Sequence, residues 1–355
     1  MLDGGHLKQM KMNRIWTLGL MAVAGAALMA GCNGGSSTEG ETAGGGSSKP
    51  AAGGNLTGSI SIDGSSTVYP IANTMAEDFG KANSGVKLDV TKSGTGSGFK
   101  KFIDGSLDIC CASRTIEKEE VDQLKAKGID YIEVPIAFDG VSIVINPAND
   151  FAGDLTADEL RKAWAPDSTV QTWADIRAGF PAEKITFYGL TNNHGTYEYF
   201  TEKIAGKKNE IRKGYQANQE YAPIVTAVSG DKNGIGYMGY SYYIENKDKL
   251  KAVKVNGVEP TPETIENGSY APLSRTLFMY VSKKAYDTKP EVKAFFDFAL
   301  GDGLGAVEEN EYIKMPQEAY DLVKARLSEG KTGTIFMDAA GGMSTLDILK
   351  EAAAK

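Results

Sequence analysis

Cysteine and histidine are scarce in this chain of 355 residues, with three of the first and two of the second. Cys32 stands alone and Cys110 adjoins Cys111, so no spacing fits a zinc site or a disulfide framework. A bridge between adjacent cysteines is geometrically awkward, and the pair reads as two small buried hydrophobes in a strand over 107–112. His6 lies near the N-terminus, which leaves His194 as the one later histidine. A catalytic triad or a multi-histidine metal centre therefore has no material, and neither metal nor cofactor is expected. Positive charge is also lacking: 38 Lys and Arg face 46 Asp and Glu, a formal net charge of −8. Nucleic acid and anionic lipid surfaces are thereby disfavoured as partners, although a small anion can still be held by neutral dipoles. Only one long apolar run exists, over 18–30, and it is too short to span a bilayer stably.

That run has a specific setting. Lys8, Lys11 and Arg14 precede it and small residues close it, the order of a cleaved export signal over 1–31. Met10 and Met12 offer alternative starts of more usual length. Leu28-Met29-Ala30-Gly31-Cys32 resembles the bacterial lipobox, which implies that Cys32 is lipidated and becomes the first mature residue. An ordinary signal peptide with a stray cysteine is the plainer alternative. Residues 32–55 are nearly all Gly, Ser, Thr, Ala and Glu, the composition of a flexible tether. Without the three basic residues and one acidic residue of 1–31, the formal charge becomes −10.

The remaining 300 residues, 56–355, are enough for two lobes of ordinary size. Short β-branched or aromatic runs predict strands over 59–62, 86–90, 107–111, 132–136, 141–145, 185–188, 235–238 and 276–281. Between them lie helical patterns. Ile71, Met75 and Phe79 share a face, as do Phe99, Phe102 and Ile103, and again Tyr197, Phe200 and Ile204. Thr156 and Glu159 form a capping box ahead of Leu160, Ala163 and Trp164. Alternation of this kind predicts an α/β fold with largely parallel central sheets flanked by helices. Two extended stretches, 134–140 and 272–278, suit crossings between lobes. They would divide the body into lobe one, 56–138 with 273–355, and lobe two, 139–272.

The chemistry lies in three turns. Asp63-Gly64-Ser65-Ser66-Thr67-Val68 leads into the first of those helical patterns. Ser93-Gly94-Thr95-Gly96-Ser97-Gly98 leads into the second, and Asn192-Asn193-His194-Gly195-Thr196 into the third. The first N–H groups of a helix lack intrahelical partners, and the helix dipole adds partial positive charge there. An oxyanion satisfies both, and glycine lets the backbone come close to it. One such turn means little, because Ser and Thr cap helices everywhere. Two hydroxyls among three glycines exceed what capping needs. A nucleotide-binding P-loop is excluded because Phe99-Lys100 stands where Lys-Ser/Thr belongs.

At these residues the sequence resembles the phosphate-binding proteins of bacterial phosphate ABC transporters. The resemblance runs from about 59 to 338 and rests on separated motifs in the right order. They are 64–70, 93–102, the stretch Leu107-Asp108-Ile109-Cys110-Cys111-Ala112-Ser113-Arg114, 195–202, 234–237 and Pro272-Leu273-Ser274-Arg275. It implies a two-lobed periplasmic-binding-protein fold of type II with a ligand cleft between the lobes. It further implies binding of inorganic phosphate, delivery to the transmembrane subunits of an ABC permease, no catalysis, and a monomer in the cell envelope. Residue by residue, it assigns Ser66, Thr67 and the Val68 backbone to the first turn, and Thr95 and Ser97 to the second. Ser113 and Arg114 fall at the cleft edge, and His194, Gly195 and Thr196 in the third turn. Asn193 and His194 depart from the Asp and Ser common there, which opens the alternative of another oxyanion such as sulfate, phosphonate or arsenate. A phosphatase-like enzyme using His194 is a remoter one. A carboxylate that accepts the proton of hydrogen phosphate would reject sulfate, and the candidates are Asp139, at the crossing, and Asp63.

Overall fold

Strands placed by the apolar pattern join Gln216–Asn218 and Lys251–Ala252, which it did not place, in one nine-stranded mixed sheet in the computed structural model, which describes residues 56–192, 194–339 and 343–355. The export signal, Cys32, the tether and Asn193 lie outside the described residues. The order across the sheet is Val86–Val90, Gly58–Gly64, Ile109–Ala112, Ser274–Ser282, Tyr131–Ile145, Gly234–Gly239, Thr186–Leu190 and Gln216–Asn218, with Lys251–Ala252 paired beside Tyr131–Ile145. The strands at either end of this path run parallel to their neighbours, as β–α alternation requires. Ser274–Ser282 and Tyr131–Ile145 run antiparallel to each other, and each runs antiparallel to its other neighbour along the path.

The expected strands over 132–136 and 141–145 are one continuous strand of 15 residues, all buried. Its first part pairs with Ser274–Ser282 and its last five residues pair with Gly234–Gly239, so this single strand joins both halves of the sheet. Pro135 cannot donate to a ladder, and it is tolerated because the register shifts at this point of the pairing. Arg275 falls opposite Asp139 in that ladder.

Each of the three turns opens a helix for a legible reason. In Tyr69–Ala82, Pro70 sits in the first turn and Ile71, Met75 and Phe79 are buried together. Thr95–Ile103 buries Phe99, Phe102 and Ile103. Gly195–Phe200 buries Tyr197 and Phe200, then loosens into a π-turn over Thr201–Ala205 that buries Ile204. Phe200 stacks on Tyr237 with ring centroids 3.8 Å apart, which fixes this helix to the strand behind it. The Thr156 capping box forms as expected, with Thr156 Oγ1 accepting from Glu159 N at 3.1 Å. Cys110 and Cys111 are buried and free on opposite faces of their strand, and burial pushes both thiols above their ordinary pKa.

Glycine is required where the second helix meets the sheet. A Cβ on Gly98 would stand 2.6 Å from the Gly64 Cα and 3.1 Å from the Cys110 sulfur. Gly98→Ala should therefore destabilise the protein by about 1–3 kcal/mol through overpacking. Chemical denaturation of the two proteins side by side checks this, and equal midpoints would refute it.

Candidate functional site

The site begins at the crossing of the two antiparallel strands. Because Arg275 and Asp139 face each other in register, the guanidinium reaches Asp139 Oδ2 from both Nε, at 3.1 Å, and Nη2, at 2.9 Å. Nη2 also donates to Thr67 Oγ1 at 2.9 Å, and Nη1 donates to the Ser113 carbonyl at 3.3 Å. The ring of Tyr199 lies 3.6 Å beneath the guanidinium carbon, and its hydroxyl donates to the Pro272 carbonyl. One cation thus ties together the first turn, the cleft-edge loop, the strand crossing and the third helix. No reading of the turns singled out Arg275. The available signal was its place in the Pro272–Arg275 motif, as the one arginine of the second crossing stretch.

The first turn is folded on Ser65, whose Oγ accepts from the N–H groups of Thr67, at 3.2 Å, and Val68, at 3.4 Å. Thr67 is buried and turned toward Arg275. The Ser66 hydroxyl donates to Glu198 Oε2 on the third helix. In the second turn, Gly94 takes a positive φ of 91° and its N–H donates to the Gly64 carbonyl at 2.7 Å. Thr95 Oγ1 lies 3.3 Å from Ser113 Oγ and accepts from Ser113 N. Ser97 is exposed. No acceptor among the described residues takes the N–H groups of Thr95, Gly96 and Ser97, so this helix start keeps open donors.

In the third turn, His194 Nδ1 accepts from the Thr196 N–H at 3.2 Å. Burial pushes the imidazole below its ordinary pKa, against the opposing pull of Glu220 and Asp139, so the ring is neutral near pH 7. With Nδ1 accepting, its proton sits on Nε2, which makes His194 a donor. Thr196 Oγ1 shares a 2.7 Å hydrogen bond with the Tyr221 hydroxyl. A Cβ on Gly195 would come within 2.9 Å of the Thr67 Cα, so the third turn packs directly on the first. Beside this contact lies a cavity of about 250 Å³ whose walls include Asp139, His194, Thr196, Tyr221 and Tyr312.

Two expected site groups are committed elsewhere. Arg114 makes a double hydrogen bond to Glu120, pairs with Glu117 and covers the ring of Phe99, so its charge serves the helix Lys118–Ala126. Asp63 accepts from Gly64 N, Ser93 N and Ser93 Oγ and pairs with Lys101, which fills its lone pairs. Burial alone would raise its pKa, but these partners hold it at about 2. Asp63 therefore fastens the second turn to the first and has no capacity left to accept another proton. Among the described residues no hydrogen bond reaches Oδ1 of Asp139, a residue that lines the cavity. No described group of three or more His, Cys, Asp or Glu could hold a metal ion.

A family model described as the PBP superfamily domain matches residues 42–302. The chain belongs to this superfamily. Within it, the chain is 40% identical over 296 residues to protein SphX of Synechocystis, covering 82% of this chain and 87% of that one. It is 38% identical over 308 residues to the phosphate-binding protein PstS of Staphylococcus aureus, covering 85% and 89%. These identities place it in the PstS family. A solved structure described as a possible phosphate binding protein from Planctomyces limnophilus aligns with a TM-score of 0.75 at 46% identity, covering 78% of this chain and 99% of that one. The fold is thus the two-lobed one of the PBP superfamily, with Tyr131–Ile145 and Ser274–Ser282 at its middle.

The clamp on the second turn makes a pH-dependent contribution that can be measured. A carboxyl held at about 2 when folded, against 3.8 ordinarily, stabilises the folded state above pH 4 and loses that effect as pH falls toward 2. Asp63→Asn should cost about 2 kcal/mol at pH 7 and progressively less in acid. Urea unfolding of both proteins at pH 7 and pH 3 reads this, and a difference independent of pH would contradict it.

Proposed function

We propose that this chain binds inorganic phosphate in the cleft between its lobes and hands it to an ABC permease for import. The gathering of the three helix-opening turns around Arg275, which touches Thr67 of the first, the Ser113 neighbour of the second and Tyr199 of the third helix, carries the reading. A dehydrated oxyanion needs several donors at once, and each hydrogen bond to a charged group contributes about 1.5–3 kcal/mol. Open N–H groups of the second helix, the hydroxyls of Thr67, Thr95, Ser113 and Thr196, the N–H of Gly195, Nε2 of His194 and the Arg275 cation supply them. Exposed Ser97 would add its hydroxyl from the rim. The relatives named phosphate-binding proteins point to the same ligand. As a member of that family the chain is a substrate-binding protein and not an enzyme.

Hydrogen phosphate carries a proton that sulfate lacks, and Asp139 Oδ1 is the acceptor we assign to it. Neutral His194 replaces a hydroxyl donor without adding charge, so the departure in the third turn keeps the number of donors. The same reading places lobe one at 56–138 with 273–355 and lobe two at 139–272. It takes the chain to be exported, cleaved before Cys32 and lipid-anchored there, a monomer that stands off the outer face of the membrane on residues 33–55.

Excess phosphate should raise the melting temperature of the purified protein, and sulfate should raise it far less. Arg275→Gln should weaken phosphate binding by about 10- to 100-fold, the loss of one or two charged hydrogen bonds. Thermal melts read the first and titration calorimetry the second. A protein indifferent to millimolar phosphate would refute the proposal, and equal affinity for sulfate would remove Asp139 as the acceptor.

A further inference from the structure

The hydroxyl of Ser66 has a partner that anion binding does not call for. Ser66 belongs to the turn after Gly58–Gly64, in one half of the sheet, and Glu198 belongs to the helix after Thr186–Leu190, in the other. Their side chains meet across 132 residues of sequence, Ser66 Oγ donating to Glu198 Oε2. The other oxygen of Glu198 is held by the ammonium of Lys208. Lys208 is itself positioned, because Thr201 Oγ1 in the π-turn accepts from Asn209 N at 2.9 Å and donates back to the Tyr197 carbonyl at 2.8 Å. Burial of Glu198 would raise its pKa, but Lys208 and Ser66 outweigh it and keep the carboxyl ionised. Both carboxylate oxygens are therefore spent before any ligand is considered.

We infer that Ser66, Glu198 and Lys208 form a latch between the two lobes that sets how long a bound anion is retained. This rests on the phosphate reading above. Lys208 fixes the carboxylate on the third helix, and closure brings Ser66 to it. The latch sits beside the contact in which Gly195 packs on Thr67, so opening the cleft must break it. A hydrogen bond to an ionised acceptor is roughly twice as strong as a neutral one. Its loss should appear in release of the ligand and leave capture nearly unchanged. Ser66 thereby moves from the ligand set to a positioning role.

Release of radiolabelled inorganic phosphate from the purified protein, chased with unlabelled phosphate, tests this in the wild type and in Ser66→Ala, Glu198→Ala, Glu198→Gln and the double alanine variant. Each alanine variant should release phosphate about tenfold faster with an association rate within about twofold of wild type, and the double variant should be no faster than either. Glu198→Gln, which keeps an acceptor oxygen and loses the charge, should fall between them and wild type. Melting of the phosphate-free proteins controls for folding, and Glu198→Gln keeps the shape of the site if the alanine variant melts early. Unchanged release in Glu198→Ala and Glu198→Gln would overturn the latch. So would multiplying effects of the two alanines, which would mean that Ser66 touches the anion itself. A wild-type protein that retains no phosphate defeats the phosphate reading first, and this role with it; unchanged release from a protein that does retain it defeats the latch alone.

Discussion

Everything at the site depends on a buried ion pair between two neighbouring strands. Asp139 and Arg275 are both largely withdrawn from water, and taking two charges out of solvent is expensive unless every donor and acceptor finds a partner. Here the guanidinium is used on three sides, by Asp139, by Thr67 and by the Ser113 carbonyl, with Tyr199 covering its face. Such a pair is a poor source of stability and a good source of position. It holds one cation at the junction of three helix starts in a protein whose surface is acidic.

The same junction explains how a chain with a net charge of −8 accommodates an anion. The site does not depend on the surface field. Its positive character comes from peptide dipoles at helix starts and from one guanidinium, and a histidine kept neutral by burial adds a donor without charge. Two acidic groups near it are neutralised locally: Asp63 by Lys101 and Glu198 by Lys208. Each of these two carboxylates shapes a turn or joins two elements.

Local features of this arrangement were legible in the sequence and distant ones were not. Apolar spacing placed the helices after each turn, and the Thr156 capping box formed where its residues stood, because both are set by neighbours within one or two turns of chain. Two crossing stretches were visible as extended runs. Their register was not, and register alone puts Arg275 opposite Asp139. Asp63 looked like a proton acceptor because its partner Lys101 is 38 residues away and approaches only when the second helix packs on the sheet. The apolar pattern read 132–136 and 141–145 as two strands, whereas they are one long strand whose pairing absorbs Pro135 at a register shift.

The most direct test of this account is a crystal structure of the protein grown with phosphate. The account predicts the anion at the start of the second helix, in contact with the Arg275 guanidinium, Thr67 and the Gly195–Thr196 turn, with Arg275 still paired to Asp139. An anion bound without Arg275, or seated away from these turns, would contradict it.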